Sequence, residues 1–269
     1  MTTTIYPARR IITMNPAILI AEAVAVRDGR VLAVGTVEEL AGWGEHTVDN
    51  TFADKVLMPG FIEAHTHVMS GGVWQFPYVG FFDRKDPQGN LWTGCTSVDA
   101  VLDRLAEHES QLEDASSPLI AWGLDPIYFP DDRLLAEHLD RVSLTRPIYV
   151  YHASAHLATV NTAMLDFSEI NEHSITPGIA RNADGTPNGE LQEPAAMMLA
   201  RSGMTEIAMA IMSNEAKWNY AYEARNAGHT LLTDLGTTRV NDADSLDAWR
   251  EVTDDPAYPA RIMVAGSPM

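Results

Sequence analysis

Residues 61–68 constrain the fold more than any other part of this 269-residue sequence. They follow the turn residues Pro59 and Gly60, begin as an apolar run and end with His65 and His67. Side chains two apart on a strand share one face, so we expect the two imidazoles to converge. At the carboxyl end of a strand, that face opens into the mouth of an α/β barrel. Because imidazole nitrogens are common zinc ligands, the segment predicts a strand that ends at a metal site.

The residues before this strand predict a small β-domain. Their apolar runs are short, and Asp28 and Gly29 lie between two of them. An Asp-Gly pair in this position favours a tight hairpin, because a type I′ turn needs positive φ at both central residues. A short helix is expected at residues 38–43.

After His67 the sequence predicts a loop-rich segment at residues 70–96 and then alternating helices and strands. The predicted helices are residues 98–113, 131–142, 158–167, 193–201, 205–227 and 246–252. The predicted strands are residues 118–123, 147–151, 230–234 and 260–264. Gly228 is expected to end the longest helix, since glycine tolerates the left-handed conformation found there.

The charge and the cysteine content of the chain limit its possible binding partners and its cellular location. The 37 acidic and 18 basic residues give a net charge of −19, which argues against a nucleic acid or an anionic membrane as partner. Cys95 is the only cysteine, so no internal disulfide forms, and a cytoplasmic location is expected. No stretch approaches the roughly 18 apolar residues of a membrane-spanning helix.

Several motifs occur in a fixed order along the chain. They are DGRVLAVG, MPGFIEAHTHV, SAHLATVNTAML, DGTPNGELQEPA and NAGHTLLTDLGT. With these motifs the sequence resembles the amidohydrolase superfamily over nearly its whole length. Within that superfamily it is similar to the amidohydrolase-3 or YtcJ-like group, which includes N-substituted formamide deformylases.

The resemblance implies an α/β fold, a metal-dependent-hydrolase (β/α)8 TIM-like barrel joined to a small β-sandwich. Residues 1–57 would form the N-terminal part of the sandwich, and residues 58–269 the N-terminal part of the barrel. An elaborated insertion at about residues 70–204 would separate the first barrel strand, 61–68, from the second, 230–234. With a third strand at 261–264, the barrel is expected to be incomplete in this chain.

The resemblance also implies a mechanism. His65 and His67 would be ligands of one or two divalent metal ions, with zinc as the expected ion. Metal-activated water would hydrolyse a C–N bond, in an amide or formamide of a small molecule. Later strands of the family carry a lysine, two histidines and a catalytic aspartate, and none of those motifs is found here. The catalytic aspartate is therefore expected beyond residue 269.

Three further residues are predicted to bind substrate, each with a plainer alternative. His156 matches a family position near the substrate but could simply cap a helix. Glu193 could reach the substrate or the metal, or be a first-turn glutamate favoured by the helix dipole. Trp74 could wall an apolar pocket or simply pack, as could three other loop aromatics, Phe76, Tyr78 and Trp92. Weaker candidates are His152, Glu190, His229 and Asp234.

A second hypothesis belongs to another functional class. The chain could be a catalytically incomplete fragment that needs a C-terminal partner chain, or a non-catalytic binding module. Assembly as a homo-oligomer and a different, smaller fold also remain open. The later lysine, histidine and aspartate motifs would distinguish a self-sufficient hydrolase from a fragment.

Overall fold

A computed structural model describes residues 2–114, 117–130, 133–236 and 243–265, without the side chains of residues 243–245. The chain divides into two compact units, Met1–Phe61 and Ile62–Met269. No helix in the described ranges is both long and apolar enough to cross a bilayer.

The first unit is a five-stranded sheet with one short helix. The elements are β1 (Thr3–Asn15), β2 (Ile18–Arg27), β3 (Arg30–Gly35), α1 (Val37–Ala41), β4 (His46–Val48), a 3-10 helix (Asn50–Phe52) and β5 (Val56–Leu57). The strand order is β3-β2-β1-β4, and β5 also pairs with β1. Strand β1 runs antiparallel to β2 and parallel to β4 and β5.

The predicted hairpin turn is confirmed in this sheet. Strands β2 and β3 pair antiparallel, and the turn residues Asp28 and Gly29 have φ of 51° and 70°. Helix α1 begins at a capping box, because Thr36 Oγ1 accepts from the backbone N–H of Glu39 while the Glu39 carboxylate accepts from that of Thr36. Its buried Leu40 packs against the sheet.

The second unit begins with the predicted histidine-bearing strand. Its first elements are β6 (Phe61–Thr66), a 3-10 helix (Val68–Gln75), β7 (Arg84–Lys85), β8 (Leu91–Trp92) and α2 (Val98–Glu109). Strand β6 ends at Thr66, so His65 lies on the strand and His67 directly after it.

A second five-stranded sheet follows in the chain. Its region contains β9 (Leu119–Leu124), a 3-10 helix (Pro126–Tyr128), α3 (Ala136–Leu139), β10 (Ile148–His152), β11 (Leu157–Val160), α4 (Thr162–Phe167), β12 (Ile179–Arg181) and β13 (Pro187–Gln192). The strand order is β12-β13-β11-β10-β9, with only the β9–β10 pair parallel. Alternate residues of β10 enter two cores: Val150 packs with α2, and Tyr149 with α4.

The predicted helix at residues 158–167 is wrong in its first part. Strand β11 occupies Leu157–Val160 and pairs with β10 and β13. The helix starts only after Asn161, whose side chain accepts from the backbone N–H groups of Met164 and Ile148. Sheet pairing and burial of Ala158 and Val160 outweigh the local helical pattern. Of the predicted helix 131–142 only α3 is observed; residues 131 and 132 lie outside the described ranges.

The last elements are α5 (Glu193–Met197), α6 (Arg201–Met212), α7 (Asn214–Asn226), β14 (His229–Asp234), α8 (Ala243–Thr253) and β15 (Arg261–Val264). The prediction of one helix over residues 205–227 is wrong. Ser213 interrupts it in an extended conformation, and its Oγ caps α7 by accepting from the backbone N–H of Ala216. Gly228, with φ of 85°, follows the end of α7 as predicted.

The three strands predicted for the barrel lie in one sheet, in the order β15-β14-β6. Strands β14 and β15 run parallel, with Leu231 opposite Arg261. Within the described ranges these three strands do not close into a barrel.

Two glycines hold the 3-10 helix after β6 close to α6 and α7. A Cβ at Gly71 would lie 2.5 Å from the backbone nitrogen of Tyr220, and one at Gly72 would lie 2.5 Å from the carbonyl oxygen of Ala210. Both distances are far below contact, so only glycine permits this approach. The close packing fixes Trp74, on the same 3-10 helix, against the two helices.

Candidate active site

His65 and His67 face each other at the end of β6. Their ring centroids are 5.4 Å apart and the ring planes meet at 83°. Two imidazoles bound to one tetrahedral ion, with metal–nitrogen distances of about 2.0–2.1 Å, have ring centres about 5 Å apart. Both side chains are exposed. Their spacing therefore fits a pair of ligands on one ion.

Asp234, at the end of β14, joins this strand to the histidine segment. Its carboxylate is 2% exposed and accepts from the backbone N–H of Val68 at 2.9 Å. The backbone of Gly236 is also near, since a Cβ there would lie 3.2 Å from His67 Nδ1 and 3.5 Å from Asp234 Oδ1. The hydrogen bond fixes the chain immediately after His67.

A metal site needs more side chains than these two histidines. Among the described residues, no group of three or more His, Cys, Asp or Glu side chains is arranged to hold an ion. A catalytic zinc site uses three protein ligands and an open position. His65 and His67 would be two of the ligands that such a site requires.

A cavity of about 400 Å³ adjoins His67. Four aromatic side chains, Trp74, Trp122, Tyr151 and Tyr220, lie in its wall. The remaining lining residues are His67, Met69, Ser70, Val73, Arg84, His152, Ala153, Ala155, Ile211 and Glu223. Trp74 and Trp122 meet edge to face at 4.8 Å between ring centroids. The volume is in the range of small-molecule pockets, about 300–1,000 Å³.

The polar groups of this wall bind one another. Glu223 accepts from Trp74 Nε1 at 3.0 Å and from Arg84 Nε at 3.1 Å. The Arg84 guanidinium also lies 5.4 Å from the Trp74 ring centroid and 5.2 Å from that of Trp122. Trp122 Nε1 donates to the carbonyl of Phe76 at 3.2 Å. The charged groups and indole N–H groups of this wall are therefore already paired, and the remaining lining is mainly apolar.

A second cavity of about 180 Å³ adjoins the first. Arg84, Tyr220 and Glu223 line both cavities and so form a shared partition. His229 and Glu63 lie in the smaller one, with His229 Nε2 3.5 Å from a carboxylate oxygen of Glu63. His229 thus contacts a carboxylate at the edge of β14.

His156 and Glu193, distant in sequence, are brought together. His156 Nδ1 lies 2.8 Å from Glu193 Oε2, and the backbone N–H of Glu193 donates to the His156 carbonyl at 2.8 Å. Glu193 has φ of 63°, a conformation that costs a non-glycine residue on the order of 1 kcal/mol. The side chains are 64% and 68% exposed and stand outside the lining of the large cavity. Of the three predicted substrate-binding residues, Trp74 is therefore the one in its wall.

A buried polar cluster surrounds His152, which also lines the large cavity. Glu190 accepts from Arg133 and from Gln192 Nε2, and His152 Nε2 lies 2.9 Å from Thr159 Oγ1. Burial lowers the pKa of His152 to about 4, so the ring is neutral near pH 7. Burial tends to raise the pKa of Glu190, but the hydrogen bonds from Arg133 and Gln192 outweigh it and lower the pKa.

Sequence reasoning missed most of the cavity wall. Arg84 lies on β7, whereas Tyr220 and Glu223 lie on α7, and they meet only in the folded chain, which no local pattern reveals. Tyr151 lies in the correctly predicted strand β10, but the sequence carries no signal that it lines a cavity. Of the other predicted loop aromatics, Trp92 stacks on His108 instead, at 5.9 Å between ring centroids.

Comparisons with known proteins cover most of the chain. The family model described as "Amidohydrolase family" matches residues 53–267. Protein LONG AFTER FAR-RED 3 of Arabidopsis thaliana is 26% identical over 92% of the chain. The YtcJ protein of Bacillus subtilis (strain 168) is 29% identical over 67%, and an N-substituted formamide deformylase of Arthrobacter pascens is 28% identical over 83%. The chain spans 40%, 33% and 39% of these relatives' lengths, respectively.

A solved structure shares the fold. An uncharacterized metal-dependent hydrolase from Pyrococcus horikoshii OT3 matches with a TM-score of 0.58 and 13% sequence identity. The match covers 98% of this chain and 48% of that one. At this identity the likeness concerns the mixed α/β fold alone.

Proposed function

The chain belongs to the amidohydrolase family, and from this membership we propose that it is part of a metal-dependent hydrolase that cleaves a C–N bond. The resemblance predicted from the ordered motifs, to the amidohydrolase-3 group, is confirmed by the family match and by the relatives. The proposed substrate is a small amide or formamide. Activity is proposed for the whole protein, since this chain spans less than half the length of the relatives compared.

One observation carries the proposal. The centroid distance of 5.4 Å between His65 and His67 is close to that of two imidazoles on one tetrahedral ion. His65 and His67 would hold a divalent metal, for which we propose zinc, as one or two ions in the complete site. When bound, such an ion would supply a positive charge that polarises the scissile carbonyl and lowers the pKa of a bound water to about 7.

The chain's own residues would position the reactants. The hydrogen bond from Val68 to Asp234 fixes the segment that follows His67. Beside it, the large cavity would take the substrate with Trp74 in its wall. His156 and Glu193 are proposed as further substrate contacts through their paired, exposed side chains. A cytoplasmic location is proposed because the only cysteine, Cys95, is buried and unoxidised.

Metal content tests this proposal directly. We expect the purified protein to bind a divalent metal. His65→Ala and His67→Ala should each lower the number of metal ions per chain, as measured by inductively coupled plasma mass spectrometry. His173→Ala is the matched control, because His173 is an exposed histidine far along the sequence from β6. Equal metal content in all four proteins would exclude His65 and His67 as ligands.

The absence of a third ligand among the described residues favours a second candidate. The chain could be a catalytically incomplete piece that requires a partner chain or a second copy, or a binding module. Tight metal binding by the isolated chain, with turnover of an amide, would contradict this candidate. Metal binding that appears only upon assembly would support it.

A further inference from the structure

The large cavity beside His67 is selective by its surface chemistry. Its volume of about 400 Å³ is more than twice the about 150 Å³ that suffices to hold benzene in a protein core. The wall includes Trp74, Trp122 and Tyr151, with Val73 and Ile211 between them. There is therefore room for a ring and for the group that joins it to the reacting bond.

The charges in the wall are already compensated. Arg84 and Glu223 form an ion pair, and Glu223 also accepts from Trp74 Nε1. Burial raises the pKa of Tyr151, so its hydroxyl is neutral near pH 7. A charged ligand group would lose its hydration without gaining an uncompensated partner of opposite charge. A neutral apolar group loses little on entering and gains contact with the apolar and aromatic side chains of the wall.

We propose that this cavity binds a neutral aromatic ring of the substrate, next to the carbonyl group that is hydrolysed at His67. The position of the reacting bond rests on the proposed function. Ring binding itself depends only on the cavity wall and requires no metal. The substrate class is therefore a neutral amide that carries an aryl group, rather than a short aliphatic amide or a charged one.

The binding of three matched small molecules tests whether the cavity prefers a neutral aromatic ring. Benzamide, acetamide and benzoate would be titrated into metal-free protein and followed by saturation-transfer-difference NMR. We expect benzamide to bind about ten- to hundredfold more tightly than acetamide, the range expected for burying a ring. Benzoate should also bind at least about tenfold more weakly than benzamide, because its charge is not matched.

Two variants at exposed serines locate the binding. Ser70 lies in the lining and is exposed, so Ser70→Trp should fill the cavity without disturbing the core. We expect this variant to weaken benzamide binding about tenfold or more, while Ser110→Trp, at an exposed serine outside the lining, leaves it unchanged. Tyr151→Ala should weaken it too, and circular dichroism would verify that each variant is folded.

Three results would overturn the proposal. They are equal affinities for benzamide and acetamide, equal affinities for benzamide and benzoate, and unchanged benzamide binding in a folded Ser70→Trp variant. Failure of the metal test would leave these titrations interpretable, because they use metal-free protein. Conversely, if benzamide is not preferred but the metal still binds, the proposal of an aromatic-ring site would be rejected and the proposed hydrolase function would not.

Discussion

His152 lies on β10 with 2% of its surface exposed, and its Nδ1 has no hydrogen-bond partner within the described part of the chain. Burial keeps the ring neutral by lowering its pKa from 6.5 to about 4. In the unfolded chain the ring would take up a proton near pH 6.5, whereas the native state resists this. The contribution to stability is therefore complete above pH 6.5 and is lost as the pH falls towards 4.

We predict that His152 accounts for a measurable part of the loss of protein stability at acidic pH. A pKa lowered from 6.5 to about 4 corresponds to roughly 3 kcal/mol between the two protonation states. Urea unfolding at a series of pH values should show that the free energy of unfolding falls more steeply between pH 6.5 and 4 in the wild type than in His152→Gln. His173→Gln, at an exposed histidine, should follow the wild type. Parallel curves for wild type and His152→Gln would contradict the prediction.

At the residue scale, the sequence was most informative where function leaves a short motif. His65 and His67 are two positions apart, and their rings lie close together as expected, although β6 itself ends at Thr66. Their role as ligands remains a proposal. The partners of Glu223 could not be predicted, because Trp74 and Arg84 precede it by more than a hundred residues and reach it only in the folded chain.

The 3-10 helix Val68–Gln75 connects the histidine segment with the cavity wall. Its Gly71 and Gly72 allow backbone approach to α7 and α6 that a side chain would prevent. Displacing this element would therefore shift Trp74 as well as weaken the packing.

We predict that Gly71→Ala lowers the free energy of unfolding by about 1–3 kcal/mol or more, the usual cost of overpacking. Urea denaturation would measure the change, and benzamide binding should fall with it because Trp74 moves. Gly42→Ala is the control, since a Cβ there would meet only backbone at 3.4 Å and φ is −66°. If Gly71→Ala were as stable as Gly42→Ala, the packing argument would be wrong.

At the element scale, the sequence predicted correctly those turns and helix ends that depend on the conformational preference of one or two residues. The Asp28-Gly29 turn and the end of α7 at Gly228 both depend on positive φ, which the residue types favour. Strand β11 was mistaken for a helix because pairing with β10 and β13 is a long-range effect. The break at Ser213 was missed because capping competes with a helical pattern that continues on both sides.

At the scale of the whole molecule, the excess of acidic residues is the dominant property. A net charge of −19 on 269 residues produces repulsion that disfavours the compact state. The assignment of the two units to part of a sandwich and part of a barrel remains a prediction, as does an insertion at residues 70–204.

We predict that salt stabilises the protein. Raising NaCl from about 10 to 150 mM shortens the screening length from about 30 to 8 Å, which weakens this repulsion. The midpoint of thermal unfolding should rise by about 2–4 °C, equivalent to about 1 kcal/mol. KCl should have the same effect at equal concentration, because screening does not depend on the ion. A midpoint that falls or stays constant would show that net repulsion is unimportant.

The partition made by Arg84, Tyr220 and Glu223 lines both cavities. Shortening one of its members would merge them and lengthen the space available to a substrate. The two histidines at the end of β6 would be unaffected. Evolution could therefore widen the range of substrates at this partition while it leaves the chemistry untouched, and a protein engineer could do the same.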